Sequence, residues 1–488
     1  MPLRAKIQSP AMAMASSSRT FASASEIKEL PGDEPNDVLF STQGGVRSIT
    51  LNRPKKLNSL NGSMARKIVP RLREWSKSDL ANVVVIKGEG RAFCAGGDVA
   101  WLAQRNKEGV EGQQESKDYF ALEYKLDHLI STYSKPYVAF IDGITMGGGV
   151  GLSLHAPFRI ATENTVFAMP ETTIGFFPDV GASFFLPRMD GELGTYCALT
   201  SEQLKGPAVF YAGIATHYIH SSSLPDLEAR LAELSFKDYD NLSARFRIIN
   251  STIEEFCTGL PHDQPIAAPV GGNIRAAIDY VFQPANSLSQ ALKALEGMIG
   301  MSPESKGGRE IPEWAEKTLK TILQRSPTSV KVTYKQLRQG NQWSMAQTFR
   351  NEHAIASKFM EHPDFIEGVT ALLVDKPKRT PSWTPATLDK VSDQDVDAFF
   401  DFSNSSNFEL LGQDAGSHGN DYKGYPHAWL GLPRENEVRD LVFENKTKEE
   451  IVDHFIQKTD GKQGVKEKVE EILLRKTDSN NGKLSWKR

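Results

Sequence analysis

The chain is 488 residues long, enough for more than one domain, with 39% hydrophobic and 24% charged residues and a formal net charge of −4. That balance is globular and soluble, and the small negative charge argues against a general polyanion binder. Cys94, Cys197 and Cys257 lack metal-like spacing, which argues against a disulfide framework or a zinc site, and no apolar run reaches membrane-spanning length. From Met1 to Ser25 there is no acidic residue, while Arg4, Lys6 and Arg19 are spread among Ser and Ala. That is the composition of a mitochondrial transit peptide. Residues 1–25 are therefore expected to direct import into the matrix, with a processing-like segment at Arg19 to Ser23.

Val38 to Phe40 and Val46 to Leu51 read as two strands joined by a turn at Gln43-Gly44-Gly45. Ser63 reads as the N-cap of an amphipathic helix through Trp75, with Met64, Ile68, Leu72 and Trp75 on one face. Val83 to Lys87 is a strand buried on both faces. The segment Ala92 to Asp98, AFCAGGD, is a glycine turn in which Cys94 packs and Asp98 fixes the turn by local hydrogen bonds. Gln104 to Glu115 is polar and reads as a mobile loop, and Tyr119 to Ile130 as a helix.

The stretch from Lys135 to Arg188 is the most informative. Tyr137 to Ile141 has the length of a buried strand, Asp142-Gly143 is a turn, and Gly147, Gly148 and Gly149 lead into an apolar helix start at Val150. Glycines at a helix start leave amides open to close approach, and the helix dipole makes the place suited to an oxyanion. Two further apolar runs, Phe158 to Ala161 and Thr165 to Met169, precede Pro170-Glu171 and Phe177-Pro178-Asp179. Loop carboxylates are usually solvated. These two are flanked by apolar and ring residues, where a carboxyl group is costly unless paired or used.

AFCAGGD and the 135–188 run together resemble the crotonase (enoyl-CoA hydratase/isomerase) superfamily, over roughly Asp37 to Val391. The resemblance implies an α/β fold: the crotonase (ClpP-like) spiral of ββα units with a helical carboxy-terminal region. It implies an oxyanion hole made by the amides of Gly97 and Gly148, each contributing ~3 kcal/mol by analogy with other oxyanion donors. Hydratases of the superfamily carry a glutamate where this chain has Gly151, and a second one that is Glu171 here. The branch that hydrolyses 3-hydroxyisobutyryl-CoA adds an aspartate, here Asp179. Catalysis is thus expected from Glu171 and Asp179, with Glu123, Gly148, Glu171 and Asp179 binding substrate. Glu123 has a rival reading as a solvated helix residue. Lys55 and Lys56, in LNRPKKLNSLN, either meet the CoA phosphates or are solvated. No metal or redox cofactor is implied, since CoA is part of the substrate.

After Arg188 the chain reads as helical: Leu193 to Leu199, Leu204 to Ala212, and a segment GIATHYI in which His217 is structural. Ser326 reads as an N-cap, and Phe349 to Phe359 as part of the helical region covering the acyl pocket. Ala182-Ser183 departs from the two glycines frequent in relatives. The expected organisation is a core over 35–220, a helical region over 221–400 and an extension over 401–488. In that extension Ser403 to Gly424 reads as flexible, and Thr447 with Glu450 as a capping box. A second amphipathic segment carries Val465, Val469, Ile472 and Leu473. The function expected is hydrolysis of 3-hydroxyisobutyryl-CoA, with no membrane association and an open oligomeric state. The rival is a structural role in the mitochondrial small ribosomal subunit, as in fungal and plant relatives of this branch, and the two roles are compatible. A hydratase or isomerase is disfavoured by Gly151.

Overall fold

The run Val83–Gly88 sits in the middle of the molecule because its side chains are apolar on both faces. Val83 and Val85 enter one core cluster, Val84 and Ile86 another. In the computed structural model this strand, β3, follows β1 (Val38–Gln43) and β2 (Val46–Leu51). Next come β4 (Ala92–Ala95), β5 (Tyr137–Phe140), β6 (Ile144–Met146), β7 (Phe158–Ala161), β8 (Val166–Ala168), β9 (Leu204–Lys205) and β10 (His217–Tyr218). The structure describes residues 27–237, 240–261, 264–302, 308–412, 421–480 and 483–487. The expected transit segment lies outside them.

These strands form two sheets. One runs β1-β2-β3-β5-β7-β10 and the other β4-β6-β8-β9. After the antiparallel β1–β2 hairpin the larger sheet is parallel, as is β4-β6-β8, while β9 closes the edge antiparallel. The chain thus winds between the sheets as a spiral, each turn adding a strand to both. The family-level expectation of a crotonase-type α/β fold with carboxy-terminal helices is met.

Register decides the site. Ala95 pairs with Met146, and Met146 pairs with Ala168. All three strands run the same way, so the residues just past their carboxyl ends come together. Those residues are Gly96-Gly97, Gly147-Gly148 and Met169-Pro170-Glu171. The carboxyl ends of parallel strands are where α/β proteins place ligands.

Several local expectations are corrected. The first helix is Gly62–Ser76, and its cap is Asn61, not Ser63: the Asn61 side chain accepts from the Met64 amide at 2.9 Å. Gln104 to Glu115 is not a loop. Helices Val99–Asn106 and Val110–Ser131 divide at Gly109, and Arg105 pairs with Glu115 at 2.6 Å across the break. Polar residues there cover an exposed helix face. Asp98 does not fix its turn locally but reaches Arg53 at 3.2 Å and Lys56 at 3.4 Å. Leu204 to Ala212 is strand β9 followed by the short helix Pro207–Tyr211.

In the extension, Phe408 stacks on His353 with centroids 4.2 Å apart, and the Met345 amide donates to the Tyr422 carbonyl. The described ends of the 403–424 stretch are therefore packed on the helix Met345–Glu361, and residues 413–420 lie outside the described set. The capping box at Thr447 and Glu450 forms as expected, opening the helix Lys448–Lys458. The helix Glu435–Phe443 and a terminal hairpin of β11 (Thr477–Asn480) and β12 (Lys483–Trp486) were not foreseen. Val438, Ile451, Phe455, Val465, Val469 and Ile472 are buried in the main core, so the extension is part of the body. No helix among the described residues is long and apolar enough to cross a membrane.

Candidate active site

The Gly97 segment is held by Leu60: the Leu60 amide donates to the Gly96 carbonyl and the Asp98 amide to the Leu60 carbonyl, each at 2.8 Å. This pairing leaves the Gly97 amide free. Gly148 begins the helix Gly148–Leu154, so its amide has no partner one turn back. Among the described residues neither amide donates a hydrogen bond. A Cβ built on Gly148 would lie 3.4 Å from the Gly97 nitrogen and 2.5 Å from Glu123 Oε1. Only glycine lets the two segments and Glu123 approach this closely.

Glu171 opens a short 3-10 turn, Glu171–Ile174, directly after the β8 end. Its Oε1 would be 3.2 Å from a Cβ on Gly147, and its Oε2 is buried without a partner. Asp179 accepts from the Tyr124 hydroxyl at 2.7 Å. Glu123, one residue earlier on the helix Val110–Ser131, leaves its Oε1 buried and unpaired. The structure thus brings together all five residues singled out in the sequence: Gly97, Gly148, Glu123, Glu171 and Asp179. Lys56 instead pairs with Asp98 at the rim of a pocket of about 710 Å³ that Tyr119 and Leu122 also line.

Like charges in a dry site dominate the electrostatics. Burial, the Asp179 charge and, more weakly, Glu123 push the Glu171 carboxyl well above the usual range. Glu123 is raised by burial first and Asp179 next. Asp179 is pushed up to about 7 by burial, with the Tyr124 hydrogen bond working against the rise. No cation among the described residues figures in these shifts. One carboxyl of the group is therefore held as an acid beside another that ionises near neutrality, the arrangement acid/base chemistry needs.

Residues the sequence reading missed hold the Asp179 turn. Val180 sits at φ +54°, a strained conformation for a β-branched residue. Glu352 accepts from the Gly181 amide at 2.7 Å and the Ser183 amide at 2.8 Å. Gln336 donates to the Pro178 carbonyl at 2.6 Å and to Ser183 Oγ at 2.7 Å, so the departure at Ser183 serves the turn's support. His155 Nε2 must donate to the Val180 carbonyl at 2.8 Å, so its Nδ1 accepts from the Tyr425 hydroxyl at 2.9 Å. Gly151 faces Asp127, whose two carboxyl oxygens are buried without partners. The clue to Glu352 was a lone acidic residue amid the apolar positions of its helix.

Residues 46–400 match the family model for enoyl-CoA hydratase/isomerase. The chain belongs to that family. It is 53% identical to the small ribosomal subunit protein mS47 of Neurospora crassa, across 100% of this chain and 94% of that protein. It is 43% identical to the mitochondrial 3-hydroxyisobutyryl-CoA hydrolase of Gallus gallus, across 75% of this chain and 89% of that protein. Among solved structures it is similar to a carnitinyl-CoA dehydratase from Mycobacterium thermoresistibile, with a TM-score of 0.63 and 32% identity over 75% of this chain and 96% of that one.

Proposed function

We propose that the protein hydrolyses 3-hydroxyisobutyryl-CoA to 3-hydroxyisobutyrate and CoA in the mitochondrial matrix. One observation carries this reading: two unpaired amides converge with Glu171 and Asp179 in a buried site, while Gly151 offers no acid or base. The thioester oxygen accepts from Gly97 and Gly148, which stabilise the charge that develops on it. Glu171 passes its proton to the Asp179 carboxylate and then, as carboxylate, either attacks the carbonyl carbon, forming an anhydride that water then opens, or takes a proton from the attacking water. The carbon–sulfur bond breaks, and the CoA thiolate takes up a proton relayed through Asp179. Asp179 and Glu123 face the hydroxyl end of the acid. CoA lies along the Lys56 rim, and the chemistry needs no metal or redox group.

Glu171→Gln tests this reading. Turnover of 3-hydroxyisobutyryl-CoA falls by about 10³-fold or more, while CoA binding measured by calorimetry is unchanged. A variant with near-full rate removes Glu171 from the mechanism.

A second role is supported by the similarity to the Neurospora ribosomal protein, which spans 100% of this chain and so includes the extension, whereas the Gallus hydrolase match spans 75%. In that role the protein is a component of the mitochondrial small ribosomal subunit and retains the hydrolase site. Co-sedimentation of the tagged protein with the small subunit is the expected outcome. Its absence from that fraction removes the role.

A further inference from the structure

The geometry points to a second ligand site: a pocket for a small phosphate-bearing dianion where the extension folds against the core, distinct from the acyl-CoA site and separated from its Asp179 turn by His155. The pocket encloses about 80 Å³ and is lined by Arg159, Arg188, Arg434, Lys468, Asp190 and Tyr425, among others. It lies at the far end of the helix Gly148–Leu154 from Gly148, beside Leu154 and His155.

Four cations face a single lining carboxylate, Asp190, which is bound by Lys468 at 3.0 Å. Among the described residues Arg159, Arg188 and Arg434 have no carboxylate partner. Arg188 is a staple, with every guanidinium nitrogen given to the carbonyls of Phe184, Gly340, Asn341, Trp343 and Lys423, so it supplies charge but no free donor. The other two keep donors in reserve. Arg159 gives Nε to the Ile214 carbonyl and Nη1 to the Ala156 carbonyl, leaving Nη2. Arg434 gives only Nη1, to the Arg188 carbonyl at 3.2 Å, leaving Nε and Nη2.

Two helices, Val110–Ser131 and Gly148–Leu154, end at this pocket and offset some of the positive charge. Each offers at most about half a negative charge, so roughly two positive charges remain. Guanidinium groups held this close repel one another: burial and the Arg434 charge both depress the proton affinity of Arg159. A planar fork with unused N–H groups suits a phosphoryl group, which presents three acceptor oxygens and about two negative charges. The recess admits a phosphoryl group but not a nucleic-acid strand. His155, neutral with its pKa pushed down to about 4, and Tyr425, whose proton is committed to it, add no competing charge.

Calorimetry on the full chain tests the site with inorganic phosphate and with glycerol 3-phosphate, which separate the free ion from a phosphomonoester. Saturable binding of at least one is expected, weakened about tenfold or more in Arg434→Gln, with chloride and acetate failing to compete. Arg159→Gln should weaken it similarly in protein that keeps its thermal midpoint. Saturating CoA leaves the binding in place. The proposal is overturned if neither probe saturates, if Arg434→Gln binds like the native chain, or if CoA displaces phosphate. It is also overturned if a uridine oligonucleotide binds more tightly than either probe and is lost in Arg434→Gln, which would assign the site to RNA.

Discussion

Burial raises Asp179 to about 7, and the Tyr124 hydroxyl, which donates to it, limits that rise. Removing that donor in Tyr124→Phe withdraws support from the carboxylate form. The acid limb of the kcat/KM profile is expected to move up by about one pH unit, with a smaller change in the plateau rate. The same group links activity to stability. Asp179 rises from an ordinary 3.8 to about 7 in the fold, so the folded protein holds its proton more tightly than the unfolded chain. Stability from this group is full below the unfolded value and is lost as pH rises through about 7. Glu352, pushed up to about 8 by burial, adds a loss in the next pH unit. Asp179→Asn is therefore expected to be nearly inactive, yet to raise Tm by about 2–4 °C at pH 8 and by less at pH 5, as thermal melts at the two values would record. The acidic pair was legible in the sequence because each carboxylate stood in a short motif among ring residues. Tyr124, Glu352 and Asp127 were not, because their meaning depends on which loop their helices face, and nothing local encodes that.

The three strand ends act as one element. The Ala95–Met146–Ala168 register places two amides and one carboxylate within three residues of the last pairing. Gly148→Ala tests how little room this leaves. Its Cβ would press on Glu123 and near the Gly97 amide, so kcat is expected to fall about 10²–10³-fold, with circular dichroism unchanged. Strands β3, β5 and β7 were legible because continuous apolar runs of strand length have few other uses. The helical character of 104–115 on either side of Gly109 was missed for the converse reason. Its polar face points outward, and its support comes from an ion pair across Gly109 instead of from apolar periodicity. At Asn61 and Ser63 two good capping residues stood close together, and the one in extended conformation won.

Across the whole molecule, the extension is tied to the body by ion pairs as well as by apolar contact. Arg475, 4% exposed, reaches Asp279, Glu435 and Glu471 at 2.8 to 3.0 Å, and Arg275 shares two of those partners. Removing one member leaves buried charge uncompensated. Arg475→Ala is expected to cost about 3–5 kcal/mol in denaturant unfolding, well beyond the effect of a surface pair. The bond from Tyr425 to His155 spans 270 residues of sequence, and His155 in turn supports the strained turn that carries Asp179. A growing polypeptide therefore cannot finish its reactive centre as the spiral forms. The last brace arrives only when the tail has been synthesised, so fragments that stop at the end of the family body should fold around an unsteady catalytic loop.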